Sequence, residues 1–252
     1  MKAGETSLLK LMNGVQQFIV PIYQRTYSWT LKQCNQLWKD IIQITLSKDD
    51  KVHFIGSVVY IDLGTPKGRP QQLLLIDGQQ RLTTLSLLLG ALARHIEDNN
   101  LGDQFNPNKI KNYFLFNNDE NGIDKIKVIL TEQDKDTFIK ILNGTENTLQ
   151  NPSERMLENF RHFQRVILES GEPVETIYEG IDRLMLVAVP KPCKVNAAVT
   201  WDEGYRSYLG RSGWNAQAGH TRLFPTSNPY RKEERRGDGS TVLHYRLKTI
   251  II

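Results

Sequence analysis

The sequence predicts an α/β (α+β) domain over residues 1–189, followed by an irregular tail over 190–252. Segments rich in β-branched and aromatic residues alternate with segments whose apolar residues recur every three or four positions. Hydrophobic residues form 39% of the 252 residues and charged residues 24%, which excludes a wholly disordered chain and a collagen-like repeat. Beyond position 189 neither periodicity persists, so the folded domain is expected to end there.

Four segments are predicted to be strands because they are short and rich in Val, Ile, Leu or aromatic residues. The Gly- and Pro-rich stretch 64–70 separates the first two and is typical of a turn. The predicted strands are 53–62 (HFIGSVVYID), 73–76 (LLLI), 125–130 (KIKVIL) and 184–189 (LMLVAV).

Helices are predicted between these strands from capping residues and apolar stripes. Thr30 and Gln33 have the spacing of a capping box, which predicts a helix beginning at about residue 31. A long helix is predicted over about 78–99, and another passes through Phe138. Asn151 followed by Pro152 predicts the start of a further helix, with proline at its first position. The long helix has the stripe Leu82, Leu85, Leu89, Leu92 and Ile96.

The net charge of +4 is unevenly distributed. Residues 190–252 contain eleven Lys or Arg and five Asp or Glu, whereas residues 1–189 contain 21 and 23. The basic character therefore belongs to the tail and does not predict nucleic-acid binding by the body. Because the tail has few apolar residues and no regular pattern, we interpret it as a poorly structured or foreign tail.

The class of protein is narrowed further by what the sequence lacks. Two cysteines are too few for a disulfide framework or a zinc site. The longest nearly apolar run, 82–93, is shorter than the roughly 20 residues that span a bilayer, and residues 1–10 have no apolar signal core. We therefore expect a cytoplasmic protein. The five histidines have no metal-ligand spacing, and each is expected to be a surface or core residue.

The segment 20–29 (VPIYQRTYSW) is the first candidate for function. Pro21 cannot donate a hydrogen bond to a sheet, so the chain is expected to continue as a loop that contains Tyr23, Gln24 and Arg25. Aromatic rings beside an amide and a guanidinium suit base stacking or phosphate binding. The alternative is structural: Tyr27 and Trp29 would pack beneath the following helix.

The segment 74–85 (LLIDGQQRLTTL) is the second candidate. A strand that ends in Asp77-Gly78 and runs directly into a helix presents free backbone amides and the positive end of the helix dipole. Gln79, Gln80 and Arg81 add donors that suit phosphate oxygens, and Asp77 could hold Mg²⁺ between those phosphates. The alternative is that Asp77 and Gln80 form a capping box, which needs no ligand.

These segments together resemble the amino-terminal domain of the GmrSD-type, modification-dependent restriction endonucleases, a bacterial phage-defence family. The resemblance rests on VPIYQRTYSW at 20–29, HFIGSVV at 53–59 and LLIDGQQRLTTL at 74–85, in that order, and covers about residues 5–189. It implies a ParB/sulfiredoxin-like fold with a helical extension. It also implies a magnesium-dependent nucleoside triphosphatase that acts with recognition of modified DNA and with an HNH-type nuclease domain.

The resemblance also implies roles for individual residues. Those implied in catalysis are Asp77, Gln80 and Arg81, with Asp77 holding the metal. The nucleotide, of unspecified base, and Mg²⁺ are the expected cofactors. The residues implied in nucleotide binding are Gly78, Gln79, Gln80, Arg81 and Thr84, with Tyr23, Gln24 and Arg25 on the facing loop in contact with nucleotide or DNA.

The tail departs from the family pattern, because no nuclease motif follows residue 189. Our hypothesis is that residues from about 190 are out-of-frame or otherwise substituted sequence. A separately encoded nuclease subunit is therefore a further expected partner. Two other functions stay open on the sequence alone. One is a non-catalytic module that binds DNA or a protein partner, and the other is an inactive truncated paralogue.

Overall fold

The computed structural model describes residues 3–47 and 51–191 in full, together with the backbone of residues 231–235 and 241–245. The chain divides into two compact units, Met1–Trp201 and Asp202–Ile252. In the first unit, six described strands form one mixed sheet in the order β1-β6-β3-β4-β2-β5. The strands are β1 (Gly4–Ser7), β2 (Gln16–Ile19), β3 (His53–Gly64), β4 (Gln71–Asp77), β5 (Val128–Ile129) and β6 (Leu184–Lys191).

The directions of these strands decide which loops lie at the same end of the sheet. Strand β2 runs parallel to its neighbours β4 and β5, with Ile19 opposite Leu74 and Ile129. Strand β3 is antiparallel to β4 and parallel to β6, while β1 pairs antiparallel with β6 at the edge. The segments that follow β2 and β4 therefore leave the sheet at the same end.

Seven α-helices surround the sheet in the described residues of the first unit. A π-helical turn at Lys111–Leu115 follows α4 directly, and short 3₁₀ turns lie at Gly122–Lys125 and Glu146–Thr148. The α-helices are α1 (Leu8–Met12), α2 (Leu31–Leu46), α3 (Gln79–Asp98), α4 (Pro107–Ile110), α5 (Glu132–Asn143), α6 (Glu154–Ser170) and α7 (Val174–Asp182).

Helix α3 lies at the centre of the core. Fourteen of its twenty residues are buried, including the whole predicted stripe from Leu82 to Ile96. A helix that is buried on most sides must be covered by several neighbours, and α3 contacts α4, α5 and α6. Helix α7 lies so close to α2 that a Cβ added to Gly180 would be 2.8 Å from the side chain of Ile41. The predicted mixed α and β architecture is confirmed.

Several local predictions are also confirmed. Thr30 caps α2, and the reciprocal bonds of the capping box with Gln33 are both present. The predicted strands at 53–62, 73–76 and 184–189 correspond to β3, β4 and β6. Over the described residues, no helix has both the length and the apolar character needed to cross a membrane.

Three predictions need correction. The strand predicted over 125–130 is reduced to Val128–Ile129, because the chain before it forms a 3₁₀ turn at Gly122–Lys125. Helix α6 begins at Glu154 with Ser153 as its N-cap, so Pro152 lies outside the helix.

The third correction concerns the tail. Residues 231–235 and 241–245 pair as antiparallel strands β7 (Arg231–Arg235) and β8 (Thr241–Tyr245), where the sequence predicts no regular structure. The predicted irregularity of residues 192–230, 236–240 and 246–252 lies outside the described residues.

Candidate phosphate-binding corner

The two candidate segments meet at one corner of the first unit, where β4 ends and α3 begins. We call residues 76–81 the corner and residues 20–30 the facing loop. Gly78 joins strand to helix in a left-handed conformation, with φ of 98°, which favours glycine. A Cβ on Gly78 would lie 2.9 Å from Val58 Cγ2 and 3.2 Å from the Ser57 carbonyl oxygen. Glycine is therefore required here both for its backbone conformation and for close packing against β3.

Gly78, not Asp77, is the N-cap of α3. It provides no side-chain cap hydrogen bond, so the capping-box alternative for Asp77 and Gln80 is wrong. The first intrahelical bond runs from the Leu82 N–H to the Gly78 carbonyl at 3.0 Å. The amides of residues 79–81 consequently have no acceptor within the helix, and they lie at the positive end of its dipole. This geometry suits an anion.

Three glutamine side chains fasten the facing loop to the corner. Gln24 Nε2 donates to the Ile76 carbonyl at 2.9 Å, and Gln79 Nε2 donates to the Arg25 carbonyl at 2.8 Å. Gln80 Nε2 donates to the Thr26 carbonyl, while its Oε1 accepts from the Ser28 N–H at 2.8 Å and from the Trp29 N–H at 3.3 Å. These carboxamides were predicted to face a nucleotide, but here they bind the protein's own backbone.

Below the facing loop, Tyr27 anchors the chain to the core. Its N–H donates to Asp134 Oδ2 at 2.6 Å, and its hydroxyl shares a 2.8 Å hydrogen bond with Thr84. Asn159 Nδ2 donates both to that hydroxyl and to the Trp29 carbonyl. Burial raises the pKa of Tyr27 far above its usual range. The structural alternative for Tyr27 and Trp29 is therefore confirmed, since Tyr27 is buried and Trp29 packs against the core.

The predicted contact of Thr84 with a nucleotide also needs correction. Its side chain is fully buried, and its hydroxyl donates to the Gln80 carbonyl at 2.8 Å while bonding to Tyr27. Thr84 therefore lies beneath the corner rather than at its surface. A side chain in this position can hold Tyr27 and the helix backbone, but it does not reach a ligand.

Arg81 is held in place by strand β3. Its Nη1 donates to the Ser57 carbonyl at 2.9 Å and lies 4.0 Å from Asp77 Oδ2. The guanidinium lies against Gly56, where an added Cβ would come within 2.9 Å of Cζ. Gly56 has φ of 106° at a register shift between β3 and β6, which is the geometry of a β-bulge. The bulge makes room for the guanidinium beside the helix start.

Few of the predicted site residues have exposed side chains. Asp77 has 63% of its side chain exposed, and Tyr23 is 59% exposed at the turn that the Gln24 N–H closes onto the Pro21 carbonyl. Arg25 is also exposed. The predicted site residues with exposed side chains are thus Asp77, Tyr23 and Arg25, with Arg81 partly exposed beside them.

The interior between the loop and the helix has almost no room. A cavity of about 10 Å³ is lined there by Arg25, Gln79, Gln80 and Asp134, among others, and that volume holds about one water molecule. Thr131 Oγ1, which also lines this cavity, is buried without a hydrogen-bond partner among the described residues. A nucleotide at the corner would therefore lie on its outer surface.

A metal ion at the corner would have a single carboxylate, that of Asp77, as its protein ligand. Over the described residues, no group of three or more His, Cys, Asp or Glu side chains could hold a metal ion. Mg²⁺ is commonly held by one or two carboxylates together with phosphate oxygens. Asp77 fits that arrangement, because its carboxylate is exposed and only loosely paired with Arg81.

Two residues that support the corner lie far away along the chain and were not predicted from the sequence. Asp134 of α5 and Asn159 of α6 hold Tyr27 although they are 107 and 132 positions away from it. One local signal was available for Asp134. It stands three residues after the α5 N-cap Thr131, where an acidic residue usually completes a capping box, yet Thr131 has no side-chain cap bond.

The histidines in the described part of the first unit lie outside the corner, as does Cys34. His53 Nε2 is 3.3 Å from Asp40 Oδ2, so this histidine joins β3 to α2. His162 is buried in α6 and its Nδ1 is 3.2 Å from Arg165 Nη2; burial lowers its pKa. Burial also raises the pKa of the Cys34 thiol to about 11, which makes it a poor nucleophile at neutral pH.

Comparison with known proteins gives one family. A family profile described as the GmrSD restriction endonuclease, N-terminal domain, matches residues 8–191. The match includes the facing loop, the bulge at Gly56 and the corner, and it extends to the end of β6. No curated protein matches the chain.

Proposed function

Because the chain belongs to the family of GmrSD restriction endonuclease N-terminal domains, we propose that its corner binds and hydrolyses a nucleoside triphosphate. The hydrolysis would serve a modification-dependent DNA restriction system that defends against phage. In this proposal the domain has the ParB/sulfiredoxin-like fold of its family, and a separately encoded subunit supplies the nuclease.

One observation carries the proposal: the amino terminus of the twenty-residue helix α3 has no side-chain cap, and a guanidinium is fixed beside it. The free amides of residues 79–81 and the helix dipole attract phosphate oxygens. Arg81 uses Nη1 to hold the Ser57 carbonyl, which leaves other guanidinium N–H groups for a ligand. A helix start alone would be weak support, but here it coincides with the family's motif.

The proposed reaction is attack of water on the γ-phosphate. A bond forms between the water oxygen and the γ-phosphorus, the bond to the bridging oxygen breaks, and nucleoside diphosphate and phosphate are released. Arg81 and the helix amides stabilise the charge on the phosphate oxygens during this step. Asp77 would hold Mg²⁺, which supplies further charge neutralisation on the phosphates when bound.

In this proposal the other predicted residues have different roles. Gln79 and Gln80 contribute backbone amides to the phosphate site, and their side chains hold the facing loop. Gln24 also acts by holding that loop, and Thr84 acts from below it. In this proposal they are positioning residues, and the side chains that contact nucleotide are Asp77, Arg81, Tyr23 and Arg25.

A second function is favoured by the exposed tip of the facing loop. Ile22 is 76% exposed and Tyr23 is 59% exposed on a turn between two anchored residues: the Val20 N–H donates to the Ile129 carbonyl, and the Gln24 side chain donates to the Ile76 carbonyl. An exposed aromatic held in this way suits stacking on an unpaired DNA base. In this alternative the domain binds DNA or a partner protein without catalysis, and the corner only supports the loop.

The test is isothermal titration of the full chain with ATP, GTP and UTP in the presence of Mg²⁺, followed by phosphate-release assays. We expect micromolar to millimolar binding of at least one triphosphate and measurable hydrolysis. Arg81→Ala should lower hydrolysis by about 100-fold or more, because it removes a fixed donor to the developing charge. Asp77→Ala should also abolish hydrolysis, since it removes the predicted metal ligand.

Matched controls are Arg161→Ala on α6 and Asp103→Ala in the α3–α4 connection, both of which change exposed residues outside the corner. Circular dichroism and thermal melts should be the same for all four variants. Hydrolysis that survives in Arg81→Ala or Asp77→Ala would refute the catalytic assignment. DNA binding lost in Tyr23→Ala, with no triphosphate bound by the unsubstituted chain, would favour the second function.

A further inference from the structure

A second depression lies at the opposite end of strand β2 from the corner. Its lining includes Asn13, Gly14 and Val15, which precede β2, whereas the facing loop follows β2. Four strand residues rise by roughly 13 Å, so the two regions are separate. The depression has a volume of about 520 Å³, which lies in the range of roughly 300–1,000 Å³ typical of small-molecule sites.

Carboxamides dominate the lining, and we call this region the asparagine cleft. Asn106 caps α4, and Asn117 is buried and bonded to the Gln16 and Asp124 carbonyls, so these two are structural. The other four make no side-chain hydrogen bond to any described residue and offer donors and acceptors to a ligand. The six asparagines are Asn13, Asn106, Asn108, Asn112, Asn117 and Asn118.

The charge of the cleft is positive. Lys127 forms part of its lining with only 2% of its surface exposed; its Nζ donates to the Gly14 carbonyl and to Asn117 Oδ1. Two acceptors leave one ammonium N–H for a ligand. Lys109 adds a second, exposed cation, and Asp119 is the one carboxylate in the lining. Burial lowers the pKa of Lys127 to about 8, so the group is still largely charged at neutral pH.

An aromatic ring and an unusual helical turn complete the cleft. Tyr113 is 53% exposed and lies in the π-helical turn Lys111–Leu115, whose Asn112 also lines the cleft. π-helical turns are rare and occur frequently at functional sites. Phe116, directly after this turn, contributes a second ring to the lining.

We propose that the asparagine cleft binds a nucleotide unit, with Tyr113 against the base, the free carboxamides at the base edge, and the two lysines at the phosphate. Carboxamides have both the donors and the acceptors that base edges require, and aromatic rings stack on bases of any sequence. A neutral saccharide would also use amides and rings, but it would not match the charge of the two lysines, which the single carboxylate of Asp119 offsets only in part. The excess of positive charge therefore favours a phosphate-bearing ligand.

The nucleotide unit can be free in solution or part of a single strand, and one titration distinguishes these sources. The full chain is titrated with the nucleoside 5′-monophosphates and with a short single-stranded oligonucleotide. The titration is done in the Arg81→Ala background, which removes one contact at the proposed triphosphate site, and the cleft variants described next assign the remaining binding. We expect saturable binding, with the oligonucleotide tighter if the cleft takes a strand and the monophosphate equal or tighter if it takes a free nucleotide.

Variants assign that binding to the cleft. Asn108→Ala combined with Asn112→Ala should weaken it about tenfold or more, as should Lys109→Ala alone at low salt. The matched control is Asn35→Ala, an exposed asparagine on α2. Without any substitution, the side-chain amide signals of Asn112 and Asn118 in a nitrogen-15 spectrum should shift on titration.

Three outcomes would overturn the proposal: undiminished binding in the cleft variants, an equal loss in Asn35→Ala, or unshifted cleft amides at saturation. Binding of a neutral saccharide in place of nucleotides would overturn it as well. Because Arg81 lies at the other end of β2, failure of triphosphate hydrolysis leaves this result unaffected, and the reverse also holds.

Discussion

The two ends of strand β2 use carboxamides in opposite ways. At the corner, Gln24, Gln79 and Gln80 are all hydrogen-bonded to backbone groups of the protein. At the asparagine cleft, four carboxamides have no partner among the described residues and surround about 520 Å³ of open volume. The comparison shows that polar residues clustered in a motif can serve mainly to position a loop, while scattered ones can remain available to a ligand.

The difference also separates the kinds of ligand that each end can take. The corner has room inside for about one water molecule, so its ligand must approach the helix start from outside. The cleft is large enough for a nucleotide to enter. Substitutions at the two ends should therefore differ in their effect on stability: a change at the corner removes contacts within the protein, whereas a change at one of the four unbonded asparagines of the cleft does not.

The largest effect is expected from Gly78→Ala. The change forces a side chain into a left-handed conformation and into contact with Val58 and the Ser57 carbonyl. Backbone strain and overpacking together should lower the free energy of unfolding by about 2 kcal/mol or more. Thermal or urea unfolding measures this loss. Gly102→Ala, which meets open space, is the control and should change stability by less than about 0.5 kcal/mol.

If the two glycine variants unfold alike, the corner is not held by the close approach to β3. In that case the position of Arg81 beside the helix start would also be in doubt, since both features depend on the same stretch of strand.

An intermediate effect is expected from a matched pair of carboxamide truncations. Gln80→Ala removes the acceptor of two backbone amides and one donor to a carbonyl, which should cost about 1–3 kcal/mol. Asn118→Ala in the cleft removes no hydrogen bond to a described residue and should be close to neutral. Hydrogen exchange should show faster opening of residues 26–29 in Gln80→Ala only. Equal destabilisation by the two changes would contradict the comparison.

The last effect is a change of stability with pH, and it concerns the buried lysine of the cleft. Folding lowers the pKa of Lys127 from 10.5 to about 8, so the unfolded chain binds more protons between pH 8 and 10.5. Stability from this group therefore rises with pH across that window, by less than about 1.4 kcal/mol per pH unit. Unfolding free energies of the unsubstituted chain and Lys127→Met, compared from pH 7 to 9.5, isolate this contribution.

Lys127→Met cannot lose a proton, so the stability difference between it and the unsubstituted chain should shift in favour of the latter as pH rises. A difference that stays constant from pH 7 to 9.5 would show that Lys127 titrates normally, and a shift in the opposite direction would mean that folding raises its pKa.

The sequence predicted those features that depend on neighbours along the chain. The capping box of Thr30 and Gln33, the buried stripe of α3 and the strand at 53–62 involve interactions over a few residues, and all are present. The corner itself was also found, because a strand that ends in Asp-Gly before a helix is a local pattern. Its family follows from the same short motifs.

The features that the sequence did not predict depend on partners far along the chain. Gln80 was predicted to donate to phosphate oxygens or, in the structural alternative, to form a capping box with Asp77. Its side chain instead bonds to residues about 50 positions earlier, which no local spacing reveals. The cleft was missed for the same reason, since its asparagines come from separate segments near positions 13, 106, 112 and 117. Periodicity cannot show that these segments meet.

The order of the strands has a consequence for synthesis of the domain. Of the six strands in the sheet, β1 is made first and its neighbour β6 is made last, and Gly4 lies opposite Ala188. During translation, β1 therefore has no strand to pair with until nearly the whole domain has emerged. Only then does β6 enter between β1 and β3, so a nascent chain halted before residue 184 would retain two unprotected strand edges.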